Sequence, residues 1–208
     1  MIERISFASC YVYSPAGDGA ICARSRLLRA LLKEGDAHFM IKYAVRVRRQ
    51  TEPPAQLAGF FRSGDVFVPV PRCSPKIGGS WAAAELARAL VREGVGCATW
   101  PGLRRVSAVC KSATAAKGCR PTVERHYDSF RLEPLELRPA SVVLIDDVIT
   151  KGRTLLAAAA RIREALPDTQ IRAFALLRTQ GLTSGIQSLL EPCRGEIRWI
   201  GGDARRVP

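Results

Sequence analysis

The stretch Val142-Val143-Leu144-Ile145-Asp146-Asp147-Val148-Ile149-Thr150-Lys151-Gly152-Arg153-Thr154 sets two carboxylates directly behind four large apolar residues and follows them with a Thr/Gly turn. A short unbroken apolar run is what a strand buried on both faces of a sheet requires. Leu155, Ala159, Ile162 and Leu166 then step by four, three and four, the buried face of a helix that Pro167 closes. Strand, turn and helix in this order read as one α/β unit, and in open α/β sheets ligands bind beyond the carboxyl ends of the strands. Asp146 and Asp147 stand at that end. Buried without partners they would destabilise the chain by several kcal/mol, so the pair needs donors, a ligand or a cation.

The turn indicates which ligand. Thr150-Lys151-Gly152-Arg153-Thr154 opens the helix, where unpaired amides and the positive helix end hold a phosphate. Gly152 lets the backbone approach closely, and the hydroxyls of Thr150 and Thr154 add donors. Carboxylates at one end and a phosphate cradle at the other match a ribose 5-phosphate, whose vicinal hydroxyls donate and whose dianion accepts. Other phosphate motifs are missing: nothing fits G-x-x-x-x-G-K-[ST], and Gly94-Val95-Gly96 lacks the third glycine of a dinucleotide fingerprint.

Working outward, Ile5 to Tyr13 reads as a strand closed by the turn Ser14-Pro15-Ala16-Gly17. Arg24 to Lys33 reads as a helix with Leu27, Leu28, Leu31 and Leu32 on one face and Gly35 ending it. Phe39 to Val47 fits strand and helix equally. Val66-Phe67-Val68, the Pro/Gly-rich loop from Pro69 to Gly79, and Trp81 to Val91 behind a Ser80 N-cap give strand, loop and helix. Leu103 to Leu132 is poorly periodic and basic, a long mobile loop or hairpin, and such loops usually have a function. Ile171 to Leu177 and Ile197 to Ile200 supply further strands. The fold class expected is α/β, a central mostly parallel twisted sheet flanked by helices.

The 208 residues suit one domain, and 47% apolar with 25% charged residues is ordinary for a globular chain. No apolar run long enough to span a membrane and no secretion signal stands in the sequence. Seven cysteines, odd in number and never spaced as Cys-x-x-Cys or beside His38 and His126, read as reduced thiols of a cytoplasmic protein. The net charge of +13 favours an anionic partner, a phosphorylated metabolite or nucleic acid. Taken singly, the clusters Arg46-Val47-Arg48-Arg49, Arg104-Arg105 and Arg205-Arg206 read as solvated surface charge.

Val142 to Thr154 resembles the 5-phosphoribosyl 1-pyrophosphate (PRPP) motif of type I phosphoribosyltransferases. Leu31-Leu32-Lys33-Glu34-Gly35-Asp36 and Val68-Pro69-Val70-Pro71 are similar to segments of the ComF-like branch of that superfamily, so the resemblance spans roughly residues 28–179. It implies a single type I phosphoribosyltransferase-like domain over 1–208, with about 1–60 and 180–208 forming a small hood or acceptor lobe. It implies a glycosyltransferase (pentosyltransferase) of nucleotide metabolism, with PRPP and Mg2+ bound and ribose 5-phosphate passed to an acceptor such as a nucleobase. Asp146 and Asp147 would hold the ribose and act as the catalytic acids; Thr150, Lys151, Gly152, Arg153 and Thr154 would hold the 5-phosphate. Arg72 and Lys76 are candidates for pyrophosphate. Leu103 to Leu132 would correspond to the superfamily's flexible catalytic loop, with Lys111, Lys117, Arg120 and Arg125 as contacts. His126 and Tyr127 could touch the acceptor, although a packing role is the simpler reading.

No direct protein ligand for Mg2+ is assigned, since it is expected through PRPP and water, and the zinc module of ComF proteins is not carried over without a Cys-x-x-Cys. Dimers are common in the superfamily, so the resemblance admits a homodimer. Two rival readings stay open: a catalytically silent PRPP- or nucleotide-sensing regulator, and a ComF-like competence protein binding single-stranded DNA. The last lacks the aromatic-interleaved basic stretch that stacks bases.

Overall fold

The computed structural model describes residues 2–75, 81–110, 120–135, 138–181 and 185–207. The chain runs β1 (Arg4–Tyr13), α1 (Ala20–Glu34), α2 (Ala37–Thr51), β2 (Val66–Pro69), α3 (Ala82–Arg92), β3 (Ala98–Thr99), β4 (Leu103–Arg105), α4 (Val123–Asp128), β5 (Phe130–Leu132), β6 (Ser141–Ile149), α5 (Arg153–Ala165), β7 (Gln170–Thr179), β8 (Leu190–Ile200) and β9 (Asp203–Val207). A seven-stranded sheet has the order β3-β2-β6-β7-β1-β8-β9. The pairings from β3 through β1 are parallel, and β8 and β9 add an antiparallel edge. The fold is therefore α/β with a mostly parallel sheet flanked by helices, as the sequence leads one to expect.

The apolar run of β6 works as its composition demands. Val142 and Leu144 pack with α5 and the β4–β5 hairpin on one face, while Val143 and Ile145 pack with α1, α2 and α3 on the other. Strand alternation thus divides one four-residue run between two cores. The α5 face is lined by Leu155, Leu156, Ala158, Ala159 and Ile162, and the opposite face by Leu32, Met40, Val47, Leu86 and Leu90.

Some segments differ from the sequence expectations. Phe39 to Val47 lies within α2, whose N-terminus is capped by Asp36 accepting from the Phe39 amide at 2.7 Å. Of the loop and hairpin alternatives for Leu103 to Leu132, the described residues show the hairpin: β4 and β5 pair antiparallel, and α4 precedes β5. The Ser80 cap lies outside the described residues, and the N-cap position of α3 is Trp81, whose indole donates to the Val70 carbonyl at 2.8 Å. The stretches read as a hood put β1, β8 and β9 into the main sheet. The edge strand β9 was not legible at all. Among the described residues no helix is long and apolar enough to cross a membrane.

A buried ion pair fastens the α2–β2 connection to the sheet. Arg172, on β7, donates to Asp65 Oδ1 at 2.5 Å, to Ser141 Oγ at 2.8 Å and to the Phe60 carbonyl, and Asp65 also accepts from the Arg62 amide at 2.8 Å. Asp65 is wholly buried.

Candidate functional site

The pairing of β2 with β6 stops at Pro69 and Ile145, and its last link is the Val70 amide on the Ile145 carbonyl at 2.8 Å. From Asp146 onward β6 continues to Ile149 alongside β7, with its other edge no longer paired by β2. Asp146 and Asp147 therefore sit inside the strand, just past the point where its pairing with β2 stops. Asp147 is 8% exposed and Asp146 partly buried. Asp146 accepts from the Asp147 amide and Asp147 from the Val148 amide, each at 2.8 Å.

The partner of Asp147 is Lys33, whose ammonium group meets Oδ2 in an ion pair. Lys33 lies in the last turn of α1, which Gly35 ends in the left-handed conformation (φ 71°) before Asp36 caps α2. Leu32-Lys33-Glu34-Gly35-Asp36 is thus a helix–turn–helix junction that presents a lysine to the acid pair. The resemblance of residues 31–36 to the ComF-like branch carries no role for Lys33, and the structure brings it to the acids. Burial and the neighbouring Asp147 carboxylate push the Asp146 carboxyl well above the ordinary range, against a smaller lowering by Lys33.

This shift has a stability consequence. A carboxyl whose folded pKa lies above its ordinary 3.8 favours folding while it keeps its proton, and that contribution is lost as pH rises through the raised value. Asp146→Asn is accordingly expected to flatten the alkaline side of the stability curve of the ligand-free chain. Thermal melts taken upward from the ordinary carboxyl value of 3.8 should show the wild type falling relative to the variant as pH rises; parallel curves would contradict the assigned shift.

Behind the acids the strand enters the turn. Gly152 is the N-cap of α5 with φ 89°, and no side chain caps the helix, leaving its first-turn amides for an anion. A Cβ on Gly152 would come within 2.7 Å of Ile197 Cγ2 on β8, so glycine is required here by packing as well as by backbone angle. Thr150 is exposed and Thr154 half-buried. Lys151 and Arg153 both reach Asp203 of β9: Lys151 Nζ donates to Oδ2 at 2.9 Å, and Arg153 donates through Nε to Oδ1 at 2.5 Å and through Nη2 to Oδ2 at 2.7 Å. These donors hold the Asp203 carboxyl well below its ordinary range, and Asp203 in turn raises the Arg153 guanidinium. The two turn cations are therefore braced by a carboxylate that sequence reasoning missed, because it comes from the unread edge strand.

Arg105 is a second omission. Read as surface charge, it is only 6% exposed. It donates through Nε to the Arg72 carbonyl at 2.5 Å and through Nη1 to Ser129 Oγ, its Nη2 lies 3.4 Å from His126 Nδ1, and its guanidinium covers the Phe130 ring at 4.3 Å. Burial lowers it to about 10, against smaller raising effects of Cys73 and Asp146, which leaves it charged at neutral pH. Arg72 is thus fixed by its backbone on the chain that leaves β2. Arg120 and Arg125 are exposed, and among the described residues no hydrogen bond or ion pair joins their side chains to the acids. Tyr127 donates to Glu164 and lies under the Arg161 guanidinium at 3.8 Å, a packing role against α5. Lys76, Lys111 and Lys117 lie outside the described residues.

Among the described residues no group of three or more His, Cys, Asp or Glu converges as a metal cage. The two adjacent carboxylates make no such cage by themselves, and Asp147 is already paired with Lys33. A groove of about 410 Å3, lined in part by Ser6, Phe60, Arg62, Arg172 and Arg194, shares no residue with the acids or the turn. No protein-family model matches the chain, and no curated protein matches it.

Proposed function

We propose that the protein is a type I phosphoribosyltransferase-like enzyme of the ComF-like branch, which binds PRPP with Mg2+ and transfers ribose 5-phosphate to a nitrogen nucleophile such as a nucleobase. The observation that carries this reading is the succession along one strand end: two acids beyond the last β2–β6 pair, then a left-handed glycine turn and an uncapped helix N-terminus. A ligand held there needs hydroxyls at one end and a dianion at the other, which ribose 5-phosphate has.

In the reaction, the bond from the anomeric carbon to pyrophosphate breaks with its electron pair leaving on pyrophosphate, and the acceptor nitrogen supplies the pair for the new bond. The ring gains positive charge between the two events. Asp146 and Asp147 accept hydrogen bonds from the ribose hydroxyls, and Asp147, ionised against Lys33, supplies negative charge close to the ring. The first-turn amides of α5 with Thr150 and Thr154 hold the 5-phosphate, and Lys151 and Arg153, braced on Asp203, add a positive field. Pyrophosphate lies toward the chain after β2 that carries Arg72 and Lys76. Mg2+, bound through pyrophosphate oxygens and water, would neutralise charge on the leaving group. Little covalent chemistry falls to the protein, and rate comes from positioning and charge.

Calorimetric titration tests this reading. Wild type is expected to bind PRPP in a magnesium-dependent manner, and Asp147→Asn to weaken that binding by about 10- to 100-fold, the worth of a charge-assisted hydrogen bond. Unchanged affinity in the variant would remove the acids from the site. Pyrophosphate release across a panel of nucleobases separates the enzyme from a PRPP-binding regulator, which would bind and release nothing.

A further inference from the structure

We infer that His126 is a positioning residue for Thr154: its Nε2–H donates to Thr154 Oγ1, so that the threonine's own hydroxyl proton is left to donate to the phosphate bound at the α5 N-terminus. The inference rests on the phosphoribosyl reading above and deepens it.

His126 is 4% exposed, on α4, so it does not meet an acceptor base from solvent. Its Nδ1 lies 3.4 Å from Arg105 Nη2, and its Nε2 lies 3.4 Å from Thr154 Oγ1. A guanidinium has five donors and no acceptor. Nδ1 facing Arg105 must therefore present its lone pair, and in a neutral ring the proton is then on Nε2. Burial, with the nearby charges of Arg105 and Arg153, lowers His126 to about 4, which keeps the ring neutral at physiological pH. A threonine hydroxyl in the first turn of a helix has alternatives, among them donating back into the preceding backbone. An Nε2–H donor on Oγ1 fills an acceptor direction and turns the hydroxyl proton away from the imidazole. No other hydrogen bond among the described residues involves that hydroxyl.

The relay also joins separate parts of the chain. Arg105 holds the Arg72 carbonyl after β2, and Ser129 after α4 accepts from Arg105 while donating to the His126 carbonyl at 2.6 Å. Arg153 Nη1 donates to the Pro121 carbonyl at 3.2 Å, a second tie between the α4 entrance and the turn. The segment leading into α4 is thus connected to the phosphate turn through His126, and the orientation of one hydroxyl depends on a residue 28 positions earlier.

Two measurements on the full chain test the inference. Proton–nitrogen correlation NMR of the imidazoles at neutral pH is expected to show His126 neutral with Nε2 protonated; a ring protonated on Nδ1 overturns it. Ribose 5-phosphate affinity is expected to fall about tenfold in His126→Leu, the worth of one hydrogen bond, and to stay within about threefold of wild type in His126→Gln, whose amide nitrogen replaces Nε2–H. Thr154→Val should lose about tenfold, and the His126→Leu/Thr154→Val pair no more than either alone. Additive losses would show that His126 does not act through Thr154. Should His126→Leu fail to fold, the same cycle with His126→Asn, which lacks the donor at the Nε2 position, decides. A wild-type chain with the expected tautomer that binds no ribose 5-phosphate overturns the phosphoribosyl reading, whereas binding with additive losses overturns only the role of His126.

Discussion

Replacing Asp65 with alanine is expected to cost about 3–5 kcal/mol of folding stability. The substitution leaves the Arg172 guanidinium in the core with only Ser141 and the Phe60 carbonyl as partners, and it removes the acceptor of the Arg62 amide. Burial already disfavours the charged form of Arg172, and Asp65 is the main group that offsets it. In a chain of this size the loss corresponds to a melting temperature lower by about 10 °C. Arg172→Met in the Asp65→Ala background should recover part of it, because removing both members of a buried pair leaves no stranded charge. Urea denaturation of the three proteins measures this, and a single-mutant loss below about 1 kcal/mol would mean the pair is solvated. The pair is remote from the acids: it anchors the start of β6 at Ser141, whereas the acids follow Ile145 at the strand's other end.

Gly152→Val is the second large effect, and it acts on fold and site together. A β-branched residue at φ 89° pays for a left-handed backbone, about 1–2 kcal/mol, and its Cβ would overlap Ile197, adding about 1–3 kcal/mol of overpacking. The turn has two ways to relieve this: displacing Ile197 of β8 or rotating the first turn of α5. Rotation carries Thr154 and the amides away from the phosphate, so ribose 5-phosphate affinity should fall by about 100-fold or more where the chain remains folded. Gly152→Ala combined with Ile197→Ala should lose less than the sum of the two single losses, because removing the buried isoleucine removes the overlap while the backbone penalty stays. Equal stability of Gly152→Val and wild type would contradict the geometry of the turn.

The β6–α5 unit was legible because each of its signals is local: a run of four apolar residues, two acids, a glycine turn, and a helix with a four-three-four apolar step. The parallel sheet followed from repetition of that pattern. Phe39 to Val47 was not decidable because its aromatic and β-branched residues suit a strand as well as the buried face of α2, and what settles the matter is packing against α3. Strand β9 is short and charged, with Arg205 and Arg206 in its five residues, and it exists as a strand because β8 offers an edge. The missing site residues share one cause. Lys33 reaches Asp147, Arg105 reaches His126 and Asp203 reaches the turn across 114, 21 and 50 or more residues, and no periodicity reports such distances. Of the three, only Lys33 stands in a segment with a sequence signal, the stretch 31–36 that resembles the ComF-like branch.

The position of the 5-phosphate tests the central claim most directly. A crystal structure of the wild-type chain with PRPP and Mg2+ is predicted to place that phosphate on the first-turn amides of α5, within hydrogen-bonding reach of Thr150 and Thr154, with the ribose hydroxyls on Asp146 and Asp147. A phosphate found instead in the groove beside Arg62 and Arg194, with Asp147 still paired to Lys33 and neither acid touching a sugar, would contradict it.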